Sequence, residues 1–125
     1  MHVLMIDDEE DLRKIGRLAL SAVGGHRVTL AASGAEGLAT ARAEAPDVVI
    51  LDMMMPGMDG LQVLAELRKD PALAKIPVVF MTAKVQSHEV QEYLQAGAAG
   101  VIEKPFDPMK LAADVERLAG LANKT

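Results

Sequence analysis

The chain has 125 residues, half of them apolar, enough for one domain around one core and too many for a disordered segment. Lys and Arg total 13 against 18 Asp and Glu, a net charge of −5, which argues against non-specific nucleic-acid binding, since that needs a basic face, and no direct nucleic-acid partner is expected. Cysteine is absent, which excludes a disulfide framework, a thiolate zinc site and a cysteine nucleophile. The apolar runs are far short of the roughly 20 residues that cross a bilayer and no secretory leader is visible, so no membrane contact and a cytoplasmic location are expected.

Val3-Leu4-Met5-Ile6 reads as a buried first strand and runs straight into Asp7-Asp8-Glu9-Glu10-Asp11. A helix follows, with Leu12, Ile15, Leu18, Ala19, Ala22 and Val23 at helical spacing and acids at its positive end, and Gly24-Gly25 stops it. Val28-Thr29-Leu30-Ala31 is a second strand, and Ser33-Gly34-Ala35-Glu36 has the spacing of a capping box opening a second helix that runs to about Ala45, before Pro46. Val48-Val49-Ile50-Leu51 is fully apolar, as a strand covered on both faces is, and it ends in a carboxylate, Asp52, with the turn signals Pro56-Gly57 and Asp59-Gly60 close behind.

Leu61, Leu64 and Leu67, flanked by Val63, mark a third helix. Val78-Val79-Phe80-Met81 is a fourth strand ending at Thr82, followed by a fourth helix carrying Val90, Tyr93 and Leu94 and closing at Gly97. Gly100-Val101-Ile102-Glu103 is a fifth strand ending at Lys104-Pro105; Asp107 as N-cap and Pro108 open a fifth helix with Leu111, Val115 and Leu118. His2, His26 and His88 lie far apart and read as surface or loop residues.

Strand and helix alternate five times without linker or repeat, so residues 1–125 are expected to form a single α/β domain. The expected architecture is a doubly wound (βα)5 sandwich around a five-stranded parallel sheet of order 2-1-3-4-5, with its ligand site at the carboxyl ends of strands 1 and 3. That order brings Asp7, Asp8, Asp52, Thr82 and Lys104 to one edge. Two carboxylates about 4 Å apart repel by about 4 kcal/mol at an effective dielectric of about 20, more than Lys104 alone relieves. Hard oxygen ligands with no His or Cys nearby point to Mg2+ or Mn2+. An acid beside such a cation, a hydroxyl and a lysine has the parts for phosphoryl transfer through an acyl phosphate.

Asp7-Asp8, the stretch from Asp52 to Gly60, Thr82-Ala83 and Lys104-Pro105-Phe106, in this order and spacing, resemble the receiver domain of bacterial two-component response regulators, the flavodoxin-like CheY-like family. The resemblance covers essentially the whole chain and implies a phosphorylation-dependent signalling switch. It implies that Asp52 accepts a phosphoryl group from the phosphohistidine of a sensor histidine kinase or phosphotransfer protein. Asp8, Asp52 and the backbone carbonyl of Met54 would bind Mg2+, with Asp7 helping through water. Lys104 would contact the phosphoryl group, the peptide before Pro105 would be cis, and Thr82 would turn inward to carry the signal.

In the family, the face of the fourth helix, fifth strand and fifth helix meets a downstream target, the protein's own output domain or a second copy. It also implies that Met54 and Lys84 tune the phosphoryl lifetime through water access. The aromatic switch residue frequent three positions before the lysine is here Val101. The domain would be no enzyme beyond its own phosphorylation and slow autodephosphorylation. A phosphatase of the haloacid-dehalogenase type also uses a strand-end Asp, but it needs a second acid two residues on, where this chain has Met54. A flavin module would need a hydroxyl- and glycine-rich loop after strand 1, where Asp7-Asp8-Glu9-Glu10 repels phosphate.

Overall fold

The computed structural model describes residues 1–83 and 86–120. Its strands are β1 (His2–Ile6), β2 (Arg27–Ala31), β3 (Val48–Asp52), β4 (Val78–Thr82) and β5 (Gly100–Glu103). Its α-helices are α1 (Glu10–Leu18), α2 (Gly34–Glu44), α3 (Gly60–Lys69), α4 (Ser87–Gln95) and α5 (Leu111–Leu118). The strands form one parallel sheet in the order β2-β1-β3-β4-β5, the doubly wound flavodoxin-like topology that the alternation predicts. β3 and β4 are buried along their whole length, because helices cover both faces. One face packs Leu4, Ile6, Val49, Leu51 and Phe80 against α2, α3 and α4; the other packs Val3, Met5, Ile50, Val79 and Met81 against α5 and the end of the first helix.

The first helix departs from its expected face. Ile15, Leu18 and Val23 are exposed, while Gly16, Ala19 and Leu20 are buried. The cause is Gly16: a Cβ there would collide with the Met5 sulfur, so the helix rides on its small residues where Met5 rises from the sheet. The helix then passes into a π-helical segment, Ala19–Val23, with the Gly24 N–H donating to the Ala19 carbonyl at 3.2 Å. That extra residue per turn breaks the 3.6-residue spacing the sequence pattern assumes.

The caps differ in detail. The Ser33 hydroxyl accepts from the Glu36 N–H at 3.1 Å, but the Glu36 carboxylate reaches Ala32, so α2 has half of its expected box. The complete box is at α3, where Asp59 and Gln62 bond each other's backbone N–H. Asp107 accepts from the Met109 N–H at 2.9 Å and caps a turn ahead of α5, which starts at Leu111. His26 lies in the loop before β2, as expected, and His88 is exposed, but His2 opens β1; the side chains of His2 and His26 are largely buried, against Glu44 and Glu116 respectively. No described helix is long and apolar enough to cross a membrane.

Candidate functional site

Four strand ends deliver the site. The backbone at the tip of β3 is fixed by the Met53 N–H, which donates to the Met81 carbonyl at 3.0 Å, and by the Gly60 N–H, which donates to the Met53 carbonyl at 3.0 Å. Gly60 fits this close approach: a Cβ would come within 3.0 Å of the Met53 Cα and 3.1 Å of the Asp52 carbonyl oxygen, tight contacts with the backbone. At β5, the Lys104 N–H donates to the Thr82 carbonyl at 2.8 Å, which ties the lysine to the end of β4. The Lys104–Pro105 peptide bond is cis.

The side chains converge. Lys104 Nζ lies 3.0 Å from Asp52 Oδ1 and 3.1 Å from Asp7 Oδ2, a cation between two buried carboxylates. Asp7 is fully buried, Asp52 is 3% exposed and Thr82 is buried at the end of β4, while Asp8 faces solvent. Asp52 Oδ1 also accepts from the Met54 N–H at 3.3 Å, and Asp7 Oδ1 accepts from the Glu9 N–H at 2.9 Å. Asp7 Oδ2 is buried, and its close neighbour is the Lys104 ammonium at 3.1 Å.

Burial raises the Asp52 carboxyl from 3.8 to about 6; the charge of Asp7 pushes the same way, and the hydrogen bond and charge of Lys104 oppose it. Burial alone would lower the Lys104 ammonium, but bonding to Asp52 and Asp7 outweighs this and holds it above its ordinary value. The site therefore carries a lysine that is firmly charged and an acid whose ionisation the fold resists.

Carboxylate oxygens of Asp7, Asp8 and Asp52 lie within 4.8 Å of one another. This all-oxygen donor set fits a hard divalent cation. Two neighbours escaped the sequence reading. Glu9 Oε1 comes within 4.0 Å of Lys104 Nζ, and Arg13 Nη1 donates to the Asp7 carbonyl at 2.8 Å. The available signal was position alone: both stand within the first turns after Asp8. Val101 is half-buried over the same core as Tyr93, which meets Phe80 edge to face at 5.3 Å between ring centroids. Met54 is exposed, and Lys84 lies outside the described residues.

A family model described as "Response regulator receiver domain" matches residues 3–116. The chain is 40% identical over 122 residues to a protein named "Probable transcriptional regulator ycf27" from Guillardia theta, covering 98% of this chain and 46% of that one. It is 37% identical to "Response regulator Rre1" from Synechocystis sp., covering 93% of this chain and 50% of that one. The chain thus spans about half the length of these curated relatives. Among solved structures, the chemotaxis response regulator CheY4 of Vibrio cholerae aligns with a TM-score of 0.87 at 32% identity, covering 94% of this chain and 97% of that one. These likenesses lend no support to a haloacid-dehalogenase-type phosphatase.

Proposed function

This chain belongs to the response regulator receiver domain family, the modules of phosphorylation-dependent two-component signalling, and on that premise we propose that Asp52 is its phosphoacceptor. The observation that carries the reading is the buried Asp52 carboxylate, 3.0 Å from Lys104 Nζ at the tip of a wholly buried strand. An Asp52 oxygen attacks the phosphorus of a phosphohistidine on a sensor histidine kinase or phosphotransfer protein. The O–P bond forms as the P–N bond breaks, and the donor imidazole leaves with the electron pair. Lys104 holds negative charge on the phosphoryl oxygens, and Thr82 offers its hydroxyl to one of them.

Asp8, Asp52 and the Met54 carbonyl are the residues proposed to hold Mg2+, with Asp7 acting through water. When bound, Mg2+ neutralises charge on the phosphoryl group. The domain acts as a switch rather than a turnover enzyme, catalysing only its own phosphorylation and slow dephosphorylation. Residues 1–125 are proposed as one receiver domain, working in the cytoplasm on a protein target or on an output domain of a longer chain. The surface of α4, β5 and α5 carries the output, because Thr82 directly precedes the segment leading into α4. Two copies pairing through this face are part of the same proposal.

The test is incubation with Mg2+ and acetyl phosphate followed by intact mass. The wild type gains one labile phosphoryl group and Asp52→Asn gains none. Labelling of Asp52→Asn at the wild-type rate would overturn the assignment.

A further inference from the structure

The methionines divide by exposure. Met5, Met53, Met55 and Met81 are buried and Met1 and Met58 half-buried, whereas Met54 is 78% and Met109 71% exposed. Both exposed thioethers stand at the carboxyl edge, Met54 on the loop after β3 and Met109 on the turn before α5. Met54 is held beside the acceptor, since its own N–H donates to Asp52 Oδ1 at 3.3 Å. Its side chain is not a gap filler, because a methionine so far into solvent buries little apolar area. What an exposed thioether does offer is reaction with peroxides, and its buried neighbours Met53 and Met55 are shielded from the same reagent.

We propose that Met54 is a peroxide-sensitive modification site, and that its oxidation to the sulfoxide shortens the life of the phosphoryl group on Asp52. The inference rests on Asp52 being the phosphoacceptor. In the step, the Met54 sulfur attacks one oxygen of hydrogen peroxide and the O–O bond breaks. The sulfur gains that oxygen and is oxidised by two electrons; the other oxygen leaves as water with both protons. The reagent is the oxidant, and nothing further is consumed. The product replaces an apolar group with a strong hydrogen-bond acceptor two residues from the acyl phosphate. A thioether offers an approaching water only a weak acceptor, whereas a sulfoxide oxygen accepts a hydrogen bond from that water and orients it for attack.

The test uses the whole chain as wild type, Met54→Leu and Met109→Leu, each with and without hydrogen peroxide that is afterwards removed by catalase. Peptide mass mapping locates the sulfoxides. Each protein is then labelled with acetyl phosphate and Mg2+, freed of donor, and its phosphoryl decay followed by intact mass against its own untreated control. The expected result is sulfoxide at Met54 well before Met53 and Met55, and several-fold faster decay in treated wild type and Met109→Leu. Met54→Leu should decay alike with and without peroxide, and methionine sulfoxide reductase should restore the slow decay of the wild type. Equal oxidation of Met53 and Met55, unchanged or slower decay, or equal acceleration in Met54→Leu would each overturn the proposal. Failure of the untreated wild type to take label would overturn the phosphoacceptor reading and this proposal with it; label with equal decay before and after oxidation would overturn this proposal alone.

Discussion

At the amino edge of the sheet, His2 Nε2 lies 2.8 Å from the Thr29 hydroxyl and 3.4 Å from Glu44, the Thr29 hydroxyl donates to Glu44 at 2.9 Å, and Arg27 approaches Glu44 at 3.7 Å. Asp47 there accepts from the His2 N–H at 2.7 Å. At the carboxyl edge, Asp7 and Asp52 are buried around Lys104, and Asp8 adds a third acid within 4.8 Å. Acids at the first edge meet donors and partly keep their water; at the second, Asp7 and Asp52 are buried with one lysine between them, and Asp8 alone keeps its water. The first arrangement fastens β1, β2 and α2. The second holds repulsion between Asp7 and Asp52 that Lys104 relieves only in part.

The largest expected effect comes from removing the cation between the buried acids. Lys104→Met leaves Asp7 and Asp52 facing each other and should cost about 3–5 kcal/mol in metal-free urea unfolding. A loss below about 1 kcal/mol would break the contrast between the edges, since it would mean the acids are not held in charge conflict. At the amino edge the change should be smaller and should follow the ordinary direction for a surface contact. Glu44→Gln should cost about 0.5–1 kcal/mol in the same assay, because the acid is a third exposed and shares its contacts among Thr29, His2 and Arg27. A gain in stability there would show that this edge too is strained.

Strand-end chemistry was plain in the sequence, because three buried strands are apolar runs broken by Asp7, Asp52 and Thr82, and Lys104 follows the short fifth strand directly. Parallel connection then fixes which breaks share an edge. The face of α1 was not legible: Ile15, Leu18 and Val23 outrank Gly16 on any apolar pattern, yet Gly16 sits against the sheet because Met5 occupies the space a side chain would need. The burial of His2 and His26 was hidden for a related reason. Their partners Glu44 and Glu116 lie far along the chain, and only the packing of α2 and α5 brings them near. Arg13 and Glu9 reach the site from the first turns of α1, where sequence shows acids and a base but not which way they point.

The smallest effect sharpens the comparison within the carboxyl edge itself. Asp8 is exposed, so water already screens much of its repulsion. Asp8→Asn should raise the metal-free melting temperature by only about 1–2 °C, while weakening Mg2+ binding measured by titration calorimetry. A melting curve of the wild type indifferent to Mg2+ would count against metal binding at this edge.

The claim that the fold resists ionisation of Asp52 has a direct test in the pH dependence of metal-free stability. The folded carboxyl is raised to about 6 from 3.8, so between those values the folded state binds more protons than the unfolded one. Ionised Asp52 therefore weakens the fold above about pH 6, and the weakening fades as pH falls toward 4. Unfolding free energies of wild type and Asp52→Asn should be compared at pH 7 and pH 4.5, without metal. The account predicts Asp52→Asn more stable at pH 7 by about 1–2 kcal/mol, with the gap shrinking at pH 4.5. An Asp52→Asn protein less stable than wild type at pH 7, or a gap that widens as pH falls, would contradict it.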